Sequence, residues 1–183
     1  MAVWKMEDDC LTPEARYRID YIGPEPFKIV SEMKETLRQT LGKETKDVWE
    51  RDFRWDITGD PRAFYMRWMV SEKSDANTMI LWEVTVQGLQ PADSTKNGKA
   101  VIFIGGVVMT NWELNSAFKK TPLYNGKIKI FGKYEMGGLL WVYHRLFYND
   151  VRRVSIHKCA EKCEELFLMM RRTLKIPEPE KAM

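Results

Sequence analysis

The stretch "VWERDFRWDI", Val48 to Ile57, alternates apolar and charged residues and so reads as a strand with two faces. Trp49, Arg51, Phe53, Trp55 and Ile57 fall on one face of an ideal strand, and Glu50, Asp52, Arg54 and Asp56 on the other. Working outward, "GDP" turns the chain into a strand over 62–73, where Phe64, Met66, Trp68 and Val70 alternate with Ala63, Tyr65, Arg67 and Met69. "SDAN" turns it into a third strand over 78–88, with Ile80, Trp82, Val84 and Val86 on one side. The loop "QPADSTKNG" ends in Asn97-Gly98, a hairpin signal, and leads to 99–112. That last strand is apolar on both faces, and Gly105-Gly106 in its middle predicts a bulge or a bend. Connections this short imply antiparallel pairing.

Upstream, "ARYRIDYI" alternates as a half-buried strand and "GPEPF" ends it. Phe27, Val30, Met33, Leu37 and Leu41 then follow at helical spacing, with Gly42 as the stop. Downstream, "GKIKIFGKY" offers a further strand over 127–134, and the chain reads as helical from about 139 to 174. Two apolar stripes occupy nearly opposite sides of that region: Leu140, Tyr143, Phe147, Val151 and Val154, then Ile156, Cys159, Cys163, Phe167, Met170 and Leu174. The expected fold class is α+β: an antiparallel sheet of five to six strands packed against an N-terminal helix and a long C-terminal helix. Residues 15–176 form one domain, between a loose arm over 1–14 and a frayed tail over 177–183.

This order of elements resembles the helix-grip fold of the START/Bet v 1-like superfamily, over about residues 15–175. The resemblance implies a curved sheet that wraps the last helix and leaves a cavity for an apolar ligand. It carries no signature motif, so no catalytic residue comes with it.

The totals bound the function classes. The chain has 183 residues, 12% of them aromatic, and a formal net charge of +3, too small to require nucleic acid or an anionic membrane as partner. The first ten residues are acidic and lack an apolar core, so no signal peptide is expected. No apolar run approaches the roughly 20 residues of a membrane span. Cys10, Cys159 and Cys163 are an odd count without framework spacing, so no disulfide scaffold is expected and the setting is read as reducing and cytoplasmic. Cys159 and Cys163 share a helical face that His157 does not, so no metal site is assigned. No nucleotide fingerprint or hydrolase motif is present, and neither a cofactor nor an enzymatic activity is assigned.

The leading function is therefore a non-catalytic binding module for an apolar or amphipathic small molecule. Trp55, Trp68 and Trp82 supply an aromatic wall, extended by Trp112. Arg51, with Tyr143 or His144, fixes a polar head group. An alternative is a homodimer or other protein–protein module that exposes the first stripe of 139–174. A third reading is single-stranded nucleic acid binding through Lys119, Lys120, Lys127, Lys129 and Lys133, which are interleaved with aromatic residues.

Overall fold

The computed structural model describes residues 3–93, 95–113 and 148–176. Its strands are β1 (Val3–Asp9), β2 (Arg16–Gly23), β3 (Val48–Trp55), β4 (Arg62–Lys73), β5 (Thr78–Gln90) and β6 (Gly98–Glu113). Its helices are α1 (Lys28–Leu41) and α2 (Asn149–Thr173), and a 3-10 turn at Thr45–Asp47 precedes β3. The expected α+β class holds: a six-stranded antiparallel sheet carries both helices. The strand proposed over 127–134, the segment 139–147 and the tail 177–183 lie outside the described residues.

The strand order is β1-β6-β5-β4-β3, and β2 also pairs with β6. β6 is long enough to hold two partners on one edge, β2 along 98–105 and β1 along 107–113. Residues 1–14 read as a loose arm, yet Val3–Asp9 extends this edge. The reason is the length of β6: beyond the end of β2 it would otherwise present open N–H and C=O groups, and β1 satisfies them. The ladder from β5 to β6 runs through Gly105 and Gly106 without a register shift, so the glycine pair is no bulge.

The helix side of the sheet is the core. Val70 and Trp68 of β4, Ile80, Trp82, Val84 and Val86 of β5, and Ile102, Ile104 and Val108 of β6 are buried there. α1 adds Ile29, Met33, Leu37 and Leu41, and ends at Gly42 in the left-handed region (φ 62°), as its stop signal predicts. α2 buries Ser155, Cys159, Cys163, Leu166 and Met170 at spacings of three and four. Ile156, Phe167 and Leu174 pack at the edge of the same core, while Val151 and Val154 face solvent. Of the first stripe read from the sequence only Val151 and Val154 are among the described residues, and both are exposed.

Polar contacts fix the helices to the sheet. Asp75, in the β4–β5 turn, accepts from the amides of Asn77 (2.7 Å) and Thr78 (2.8 Å) and from the Tyr148 hydroxyl (2.8 Å). Burial alone would raise its pKa, but these donors hold the carboxyl below its ordinary value. Glu72 lies between Lys43 (2.8 Å), just past α1, and Lys158 of α2. Its burial also acts to raise its pKa, and the two lysines outweigh it, leaving the group below the ordinary glutamate value.

That sign sets a pH dependence. A carboxyl with a lowered folded-state pKa adds stability above its unfolded pKa of about 4.3 and loses it as the pH falls through the folded value. Glu72→Gln is expected to cost roughly 1 kcal/mol at neutral pH, since the cluster is partly solvated. The difference from the parent protein shrinks toward zero well below pH ~4. Urea denaturation at both pH values checks this, and an equal cost at each would contradict it.

One covalent tie was not expected. Cys10 and Cys159 form a disulfide, with Cα atoms 5.8 Å apart, and Cys163 is a free, buried thiol. The odd cysteine count argues against a scaffold but does not forbid a single bond. Here the turn after β1 brings Cys10 against α2, where the Cys10 amide donates to Gly106 O (3.0 Å). A Cβ at Gly106 would lie 2.5 Å from the Cys159 sulfur, 3.2 Å from that of Cys163 and 3.3 Å from that of Cys10. Position 106 is therefore glycine because three sulfurs converge on it. Arg152 pairs with Asp8 beside this bond, so β1 is also held to α2 by charge.

Candidate functional site

β3 decides where a site forms. Its pairing with β4 shifts register between Glu50 and Asp52, which makes Arg51 the extra residue of a β-bulge. Before the bulge, Val48 and Glu50 sit opposite Val70 and Trp68 of β4. After it, Phe53 and Trp55 sit opposite Met66 and Phe64. All four β3 side chains consequently share the helix side of the sheet. Trp49, opposite Met69, and Asp52, opposite Arg67, share the other. Strict alternation would put Trp49, Arg51, Phe53 and Trp55 together, and the bulge overturns that. Arg51 is exposed, with Nη1 3.7 Å from Met69 Sδ, on the face away from Trp68.

A groove of about 360 Å³ lies between α1 and β3. Trp68 and Met66 form its floor, Val30, Ser31 and Lys34 its helical wall, and Glu50 and Phe53 its strand wall. Phe27 closes one end. Its ring meets Trp55 and Phe64 edge-on, the latter at a centroid distance of 5.5 Å. Phe53 lies 6.5 Å from both Phe27 and Trp55 and stays half exposed. At the rim Lys34 Nζ donates to Glu50 Oε1 (2.8 Å). The site therefore combines an apolar trough with a single charge pair at its lip. A larger depression of about 580 Å³ lies beyond the N-terminus of α1, against Thr173–Lys175. Glu25, Lys28, Glu32 and Lys175 line it, and it has no comparable aromatic wall.

The predicted site residues divide. Trp68 borders the groove, and Trp55 packs edge-on against Phe27 at its end without lining it. Trp82 is buried beneath α2, and its indole donates to Cys159 O (3.4 Å). Trp112 is placed by register opposite Trp4, at the far end of β6. Arg51 is on the opposite face, for the reason given. Tyr143, His144 and the lysines at 119, 120, 127, 129 and 133 lie outside the described residues.

Phe27 and Val30 carry a signal in the helical stripe, where they precede the buried positions. The Lys34–Glu50 pair joins residues 16 apart across a helix and a strand, and no local pattern announces it.

No family model matches this chain, and no curated protein matches its sequence.

Among the described residues, no group of three or more His, Cys, Asp or Glu side chains is placed to hold a metal ion. The carboxyls of Glu35, Asp56, Glu72, Asp75 and Asp93 are all shifted downward, away from the range of a neutral-pH acid. Burial pushes the Cys163 thiol up to about 12, so it is not a ready nucleophile.

Proposed function

We propose that this protein is a binding module whose α1–β3 groove takes an apolar or amphipathic small molecule. One observation carries the proposal: an apolar trough of about 360 Å³, floored by Trp68 and Met66, open to solvent at Phe53 and edged by one charge pair. Small-molecule sites typically start at about 300 Å³ and combine apolar lining with a few placed polar groups. An apolar chain would lie against Val30 and the half-exposed ring of Phe53, above the buried side chains of Met66 and Trp68, and an anionic head would reach Lys34 in competition with Glu50. The element order supports a helix-grip arrangement. β2, the strand before α1, pairs with β6, the last described strand, and α2 packs on the helix side. The Cys10–Cys159 bond supports a working environment that preserves disulfides, in place of the reducing cytoplasm read from the cysteine count.

Titration calorimetry with a medium-chain fatty acid such as dodecanoate tests the proposal. Saturable binding with a negative heat-capacity change is expected. Val30→Phe fills the trough from the helix side and should weaken binding about tenfold or more, roughly 1.4 kcal/mol, with the melting temperature retained. Absence of saturable heat, or binding indifferent to Val30→Phe, overturns it.

A further inference from the structure

Among the described residues, β3 is the last strand on its side of the sheet, and nothing pairs with its outer edge. Three large apolar side chains on or beside it are exposed, Trp49 (66%) on the face away from the helices, Phe53 (56%) on the helix side, and Ile57 (73%) just past its end. Open edges of this kind template the addition of another strand. We infer that β3 is a self-recognition edge, through which two copies of this chain join their sheets antiparallel about a two-fold axis at Phe53.

Backbone direction supports that axis. The Asp56 amide donates to Ala63 O (2.9 Å), so the peptide groups of Asp56 face β4. Peptide groups alternate along a strand, so those of Phe53 and Trp55 face the open edge. An axis at Phe53 makes Phe53 and its counterpart a hydrogen-bonded pair, each N–H donating to the other's C=O. Asp52 then falls opposite Arg54 of the second copy in a non-hydrogen-bonded pair, where cross-strand side chains approach most closely. Symmetry makes that ion pair twice. Both residues lie on the face away from the helices, since they oppose Arg67 and Tyr65 of β4.

Charge specifies both the partner and the register. Across that face a row of alternating charge runs from Arg16 to Glu83 (3.2 Å), to Arg67 (2.7 Å) and to Asp52 (3.9 Å). The row ends at Asp52, on the open edge, and Arg54 of a second copy continues its alternation. Arg54 meanwhile stacks over Tyr65, 5.6 Å from the ring centroid, next to the same edge. Moving the axis by one residue to Asp52 would set two aspartates face to face, which disfavours the slipped register. The bulge at Arg51 ends the regular edge there, so with the axis at Phe53 the ladder is short and runs from Asp52 to Arg54 of each copy.

Sedimentation velocity on the full chain, diluted from roughly 100 μM to cover weak association, is the test. The parent protein is expected to show a reversible monomer–dimer equilibrium. Arg54→Asp sets like charges across the axis and should weaken dimerisation tenfold or more, and Asp52→Arg should do the same. Mixing the two variants restores both ion pairs, so a heterodimer should reappear. Arg54→Asp leaves the Asp52–Arg67 pair in place and gives up only an exposed stacking contact on Tyr65, so its melting temperature should stay near that of the parent. A parent protein monomeric throughout, variants that still dimerise, or a mixture that stays monomeric each overturn the inference.

Discussion

Reduction of the Cys10–Cys159 bond is expected to lower the melting temperature by several degrees and to loosen β1 first. The two cysteines are 149 residues apart, so the bond closes nearly the whole chain into a loop. The chain-entropy relation gives roughly 5 kcal/mol for a loop of that size as an upper figure, and measured values mostly fall at about 2–4 kcal/mol. For a chain of this length, 2–4 kcal/mol corresponds to a drop of about 4–16 °C. The effect should be local before it is global. β1 meets the sheet along one edge of β6 only, and its other ties to α2 are the pairing of Asp8 with Arg152 and the approach of Met6 Sδ to Arg152 (3.4 Å).

Hydrogen exchange should therefore quicken in residues 3–9 before it quickens in β5. Cys10→Ser should reproduce the loss without reductant, and Cys163→Ala should leave the bond intact. Alkylation of the denatured, unreduced chain should label one of its three cysteines. Three labelled thiols, or a melting temperature indifferent to reductant, would show that the bond does not form in solution.

The cysteine cluster also shows what kind of information a sequence carries. Element positions were legible because each rests on a local period. β4 spans 62–73, as its alternation predicts, and α1 stops at Gly42. The side chains facing the core of β4 and β5 follow from the same alternation. What was not legible depends on a count being wrong by one, or on contact between distant residues. Nothing in "WERDF" distinguishes five residues of regular strand from four plus a bulge. That single extra residue moves Trp49 off the face of Phe53 and Trp55 and leaves Arg51 outside.

Gly105-Gly106 did signal something unusual, and close approach is one of the few physical reasons for glycine inside a strand. The approaching atoms come from Cys10, Cys159 and Cys163, the first of them across more than 90 residues of chain, so only the fold reveals them. β1 has no local signal for a related reason. Its existence depends on how far β6 projects beyond β2, and that is a property of the sheet.

Trp82→Ala is expected to be the most damaging single substitution at a proposed wall residue, at about 3–5 kcal/mol. The magnitude distinguishes a core residue from a cavity wall. A tryptophan bordering an open volume loses one side of its contacts when truncated, and solvent or a ligand can enter the space. Trp82 has no such side: it is 1% exposed, lies opposite Gly106 in the ladder and holds Cys159 O through its indole. The surroundings cannot collapse into the vacated space, because α2 is fixed at that level by the disulfide from Cys159 to Cys10.

Trp82→Phe keeps most of the volume, giving up the hydrogen bond and part of the ring, and should cost clearly less, about 1–2 kcal/mol. Trp55→Ala, at the partly open end of the groove, should fall below Trp82→Ala although the same atoms are removed. Denaturant midpoints at constant slope give all three values. If Trp82→Ala cost no more than Trp55→Ala, the space beneath α2 would be hollow, and the binding site would have to be sought there and not in the α1–β3 groove.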